Sequence, residues 1–156
     1  MKNSCFLFLF LLSASLQSCK KDDVSVLSID LGVFQGNIQV VDDPQTKLGY
    51  IYNAKVSVTV LGADATIKIT GDNGFDREYT GSYSSQVKGT SNIVLKSQKK
   101  PSEKIIGGNV IIFDNKLTVD ISIANDNVSV KANPAATQTI QIVGKLRMIG
   151  TDLLKQ

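Results

Sequence analysis

The chain predicts an all-β domain: a single antiparallel up-and-down β-barrel of about eight strands, with a two-sheet β-sandwich as the alternative. Three observations predict it. From residue 33 onward apolar side chains recur at every second position, the period of a strand. Most of these inward positions are Val or Ile, which are stiff at χ1 and suited to a pleated surface. Turn-forming residues separate the runs so closely that no room is left for helical crossovers, so the sheet must be antiparallel.

Taken in order, the strands read Phe34 to Val41, Tyr50 to Val60, Ala65 to Thr70, Arg77 to Tyr83, Ile93 to Ser97, Asn109 to Asp114, Lys116 to Ala124, Val128 to Ala132 and Thr139 to Met148. The clearest is Tyr50 to Val60, where Tyr50, Tyr52, Ala54, Val56, Val58 and Val60 point one way while Asn53, Lys55, Ser57 and Thr59 point the other. Gly62-Ala63-Asp64 turns that strand into the next. Asp72-Asn73-Gly74 is a hairpin signal, because Asn-Gly tolerates the positive φ of a primed turn. Asp114-Asn115 and Asn125-Asp126-Asn127 read as further tight connections around the Leu117, Val119, Ile121, Ile123 strand. The last strand turns Ile140, Ile142, Leu146 and Met148 inward and Gln141, Lys145 and Arg147 outward.

Of the 156 residues, 42% are hydrophobic and 20% charged, a globular balance. His and Trp are absent, and the two Cys are Cys5 and Cys19, which excludes Ser/His/Asp and Cys/His nucleophilic sites and most transition-metal sites. No enzyme activity, metal or cofactor is expected. Lys96, Lys99, Lys100 and Lys104 form one short basic cluster diluted by Glu103, too little to argue for nucleic acid.

Residues 1–18 read as an export signal to be removed: Lys2 supplies the positive start, and Phe6 to Leu12 an apolar run too short to span a membrane stably. Removing Lys2 leaves 16 basic side chains against 14 acidic ones, a net charge of +2. Leu16-Gln17-Ser18-Cys19 resembles the lipobox of bacterial lipoproteins, although Gln17 departs from the usual small or aliphatic residue. The resemblance implies cleavage before Cys19, acylation of its thiol and new amino group, and a membrane partner held through that anchor. The following Lys20-Lys21-Asp22-Asp23 resembles the export signal of Bacteroidetes-type lipoproteins, implying an outer-membrane location, at the cell surface or otherwise periplasm-facing. Residues 19–26 then form a charged tether and residues 27–156 the single domain.

Gly32-Val33-Phe34 resembles the opening of lipocalins and of calycin-like lipoprotein domains, where an aromatic side chain plugs the closed end of the barrel and a basic residue near the end of the last strand crosses it. The resemblance implies that Phe34 and Arg147 form that barrel-end stack, with Lys145 as substitute for Arg147. A barrel of this size can hold one small ligand if small residues face inward. The candidate lining residues are Tyr52, Val56, Val58, Ile67, Ile69, Ile93, Leu95, Val119, Ile121, Ile140 and Ile142, which equally describe a filled core. Two readings follow: a non-enzymatic lipid-anchored barrel that binds a small apolar ligand, or a structural, adhesion or accessory interaction module with a filled β-sandwich core, serving an envelope protein partner. Tyr79 and Tyr83 offer either a contact surface or a polar sheet edge. Residues 97–104 read as an exposed loop, either a flap over the barrel mouth or a tolerant connection.

Overall fold

The computed structural model describes residues 27–42, 46–86, 89–102 and 104–156. Nine strands follow one another: β1 Ser28–Val41, β2 Lys47–Leu61, β3 Asp64–Gly71, β4 Phe75–Ser85, β5 Ser91–Lys100, β6 Lys104–Ile105, β7 Gly107–Phe113, β8 Lys116–Val130 and β9 Ile140–Lys155. Every ladder is antiparallel, β1 pairs with β9, and β4 pairs with β5. The result is a closed, calycin-like barrel of eight strands plus the short β6, and not a two-sheet sandwich. Strand β6 extends the β7 side of β5, Ser97 facing Ile105 and Gln98 facing Lys104.

Turn chemistry closes the hairpins as the local residues dictate. Asn73 and Gly74 both have positive φ, and the Phe75 N–H closes the turn on the Asp72 carbonyl. Asp114 and Asn115 repeat that geometry between β7 and β8. Alternate residues point inward and form one contiguous apolar cluster running from Phe34 and Val58 through Ile69 and Ile121 to Val128 and Val130. Each fully buried Val, Ile, Leu or Phe contributes roughly 1.5 to 3 kcal/mol relative to exposure, which is what holds the barrel shut.

The up-and-down path sends the chain ends to one pole. Leu27 and Gln156 lie there, with the β2–β3, β4–β5 and β7–β8 connections. The opposite, distal pole carries the β1–β2, β3–β4, β5–β6 and β8–β9 connections.

Single-residue irregularities in three strands correct the expected pattern. In β2 a bulge centred on Asn53, whose φ is 51°, shifts the register to β1 between Gly36/Ala54 and Ile38/Ile51. One extra residue reverses which side chains face inward. Ile51 therefore joins the core cluster, while Tyr52, also buried, lies outside that cluster with its ring tilted 40° to that of Tyr50 at 5.4 Å between centroids. In β8 the expected turn at Asn125-Asp126-Asn127 is a bulge instead, so one strand runs from Lys116 to Val130, with Ile123 facing Leu146 and Asp126 facing Gly144. In β5 extra residues at Lys96 and Lys99 carry the strand to Lys100. The expected loop of residues 97–104 is thus mostly strand, and Gln98 is fully buried.

Candidate functional site

The distal pole is covered by an arm built from the two outermost segments of β8 and β9. The ladder between β7 and β8 ends at Gly107/Ser122, and that between β1 and β9 ends at Val41/Arg147. Beyond these pairs Asp126–Val130 and Ile140–Gly144 pair only with each other among the described residues. The bulge at Asp126 bends this arm across the open end. Lys131 and Tyr50 exchange two backbone hydrogen bonds, the Tyr50 N–H donating over 2.9 Å and the Lys131 N–H over 3.0 Å, although β8 and β2 are not neighbours in the barrel. Gly49 allows this approach, since a Cβ there would sit 2.7 Å from Val130 Cγ2. Val128 and Val130 on the underside of the arm complete the apolar cluster.

A charged cluster pins the arm from the other side. Arg77 on β4 lies across the mouth from Asp126 on β8, its Nε 3.4 Å from Oδ2, and its Nη2 donates to the Asn127 carbonyl over 2.8 Å. The Lys104 Nζ is 3.3 Å from Asp126 Oδ1. The Asp126 side chain is 3% exposed, so two cations and its own hydrogen bonds replace the water it has lost. The guanidinium of Arg77 also rests over the Phe75 ring at 4.9 Å.

Below this cluster, Tyr79 and Gln98 face each other across the β4–β5 ladder, both with no exposed surface. The Tyr79 hydroxyl and both polar atoms of the Gln98 amide are buried with no hydrogen-bond partner. Such groups cost roughly 1 to 3 kcal/mol each. Burial holds the Tyr79 phenol far above its ordinary range, with the negative charge of Asp126 adding to the effect and Arg77 opposing it. On the outer side of the arm a cleft of about 230 Å³ opens between the β3–β4 turn and the arm, lined among others by Asn73, Phe75, Arg77, Asn127, Ser129 and Gln141.

Of the lining residues expected from the sequence, Val56, Val58, Ile67, Ile69, Ile93, Leu95, Val119 and Ile121 all belong to the packed cluster. Ile142 is half-buried against it under the arm. Ile140 does not face inward but is 48% exposed, because it starts β9 beyond the reach of β1. Tyr52 is buried outside the cluster, as the Asn53 bulge requires. Tyr79 is a core residue and Tyr83 is half-buried beside it, so neither forms the expected outer surface.

The expected stack of Phe34 and Arg147 is absent. Phe34 faces Lys155, whereas Arg147 faces Val41 at the other end of the β1–β9 ladder. Strand β9 runs on to Lys155, so Arg147 is not near its end. Its guanidinium lies on the outer surface, where Nε donates to Asp120 Oδ1 over 2.7 Å. Cys19, Lys20, Lys21, Asp22 and Asp23 lie outside the described residues.

Arg77, Gln98, Lys104 and Asp126 were not legible as a site. One signal was available for Asp126: apolar alternation resumes at Val128 and Val130 an odd number of residues after Ile123, as it does across a one-residue bulge. Comparison with family models, with curated proteins and with solved structures found no match.

Proposed function

We propose that this protein is a non-enzymatic envelope lipoprotein, held to the outer membrane through Cys19, whose barrel takes up a small ligand with an apolar body and a polar end beneath the β8–β9 arm. The observation that carries the reading is the pair Tyr79 and Gln98: three buried polar atoms without partners, under a cover held to the opposite wall by the Arg77 and Lys104 side chains and by the single Tyr50–Lys131 backbone bridge, not by a barrel ladder. A ligand whose polar end meets Tyr79, Gln98 and Arg77 supplies the missing hydrogen bonds, and its apolar body is matched by the cluster below. The same fold supports the anchor, since the chain enters at one pole and the covered mouth lies at the other. Asp126 is engaged by Arg77 and Lys104, and Asp120 by Arg147, which supports a structural role for these two carboxylates.

The second reading, an accessory interaction module for an envelope protein, is favoured by the packing of most candidate lining residues into one contiguous cluster. Anilinonaphthalene sulfonate, an apolar ring system with an anionic end, separates the two. The ligand reading expects saturable binding to the folded chain that weakens about tenfold in Arg77→Gln, the loss of one charge-assisted contact. Absence of saturable binding assigns the barrel to the second reading. Fatty-acid labelling in cells tests the anchor: label on the wild type that disappears in Cys19→Ser supports it, and label that persists refutes it.

A further inference from the structure

The pole where the chain ends meet carries most of the exposed large apolar side chains. Leu27 is 78% exposed, Leu61 54%, Phe113 55% and Leu154 57%, and Ile29 and Val33 are exposed beside them. Phe113 ends β7, Leu61 ends β2, Leu154 is the penultimate residue of β9, and Leu27 and Ile29 flank the start of β1. On the outer face Phe113 faces Lys116, Lys116 faces Leu154, and Leu154 faces Gln35 two residues from Val33. Only Ile140 and Val143, of the exposed large apolar residues described, lie at the distal pole. Val94 and Ile111 are exposed on the barrel wall, so the apolar side chains are concentrated, six of the ten described, at the chain-end pole, and such a concentration marks a contact surface.

The length of chain before the barrel identifies what that surface meets. Eight peptide units separate Cys19 from Leu27, and fully extended they reach at most about 28 Å. A barrel tethered so briefly from this pole keeps the rim within a few tens of ångströms of the bilayer, and any bend in the tether brings it into the headgroups. We infer that the chain-end pole is a lipid-docking surface, in which Phe113, Leu154, Leu61 and the start of β1 insert into the headgroup region of the membrane. This rests on the anchor proposed above. The charge of the pole defines the lipid class. Asp30, Asp64, Asp114 and Asp152 surround the rim, against Lys116 and Lys155 among the described residues. Lys116 is held by Asp152 at 3.3 Å. The excess of carboxylates disfavours anionic lipid, so the surface suits zwitterionic headgroups, and attachment is driven by apolar insertion and not by a basic patch.

The test uses the mature chain, residues 19–156, carrying Cys19→Ser, floated with vesicles of phosphatidylcholine and with vesicles that also contain phosphatidylglycerol. The expected result is binding to the first that weakens with the second. Phe113→Ser with Leu154→Ser lowers the partition about a hundredfold, roughly tenfold for each large apolar side chain withdrawn. Ile140→Ser with Val143→Ser leaves it unchanged. Thermal melting confirms that each variant is folded. The proposal is overturned if the parent chain does not float, if the Phe113/Leu154 variant floats as well as the parent, if phosphatidylglycerol strengthens binding, or if the same variant instead dissolves a dimer that ignores vesicles. Because this chain carries no acyl group, its behaviour is independent of the anchor. Acylated Cys19 without vesicle binding removes the docking surface alone, and vesicle binding without acylation removes the anchor alone.

Discussion

Arg77 and Asp126 meet across the barrel mouth from strands that do not pair, and their contact fastens the β8–β9 arm to the far wall. Arg77 also holds the Asn127 carbonyl, so one side chain secures both the carboxylate and the backbone of the bulge.

Removing the carboxylate leaves two cations facing a nearly buried position. Asp126→Ala is expected to destabilise the protein by about 3 to 5 kcal/mol in urea unfolding. Hydrogen exchange should accelerate first at residues 127–130 and 140–144. Arg77→Met combined with Asp126→Leu should recover much of the loss, because an apolar pair needs no compensation for lost water. Equal destabilisation by the single and double variants would show that the pair does not act as a unit.

Tyr79→Phe deletes a buried hydroxyl that has no partner. In the ligand-free protein it should raise stability by about 1 kcal/mol, seen as a rise of a few degrees in Tm. The same change should weaken binding of anilinonaphthalene sulfonate. A stabilised protein that binds as well as the parent would take Tyr79 out of the site.

Gly108 has a φ of 142°, and a Cβ there would come 2.1 Å from the Asp120 carbonyl oxygen, a backbone atom that cannot swing aside. Gly108→Ala should therefore cost at least about 2 kcal/mol. Gly74→Ala meets open space and is strained only by its φ of 71°, so it should cost less. Chemical denaturation of the two variants side by side reads the difference.

The hydrogen bond from Arg147 holds the Asp120 carboxyl below its ordinary value of 3.8. A depressed native pKa contributes stability that is complete above the unfolded value and is lost as pH falls through the native one. Stability should thus stay flat from neutral pH to about 4 with respect to this pair and decline below it. Asp120→Asn should flatten that acid limb. The effect is small, because the pair lies on the surface and water screens it. An unchanged acid limb in the variant would exclude Asp120 as a contributor.

How the chain is read depends on whether structure is set locally or at a distance. The alternation of Val56, Val58 and Val60 and the Asn73-Gly74 and Asp114-Asn115 turns are local, and they foretold the closed antiparallel barrel. The bulges are not local. Asn53 looks like any polar outward residue of a strand, and Asn125-Asp126-Asn127 has the composition of a turn. Whether the chain reverses there or kinks and continues is decided by pairing with β9, some twenty residues on in the chain. Each bulge changes which side chains face inward, so Ile51 was missed as a core residue and Asp126 was placed in a connection. Gln98 was hidden for the same reason, because the irregularities of β5 turn a residue of an apparent loop into the barrel. The Phe34 and Arg147 pairing failed on the length of β9, which runs to Lys155.

Closing a barrel removes the free strand edges on which sheets of different molecules join, and the arm restores one. From Ile140 to Gly144, β9 has a partner on one side only among the described residues, and it displays Ile140 and Val143. An open edge is a template on which a second copy can pair, the first step of aggregation. The shortness of this edge, the positive φ of Gly144 and the charge of Lys145 work against such pairing. The contact of Arg77 with Asp126 therefore guards solubility as well as shape: an arm that swings free would offer its whole length to a neighbouring copy.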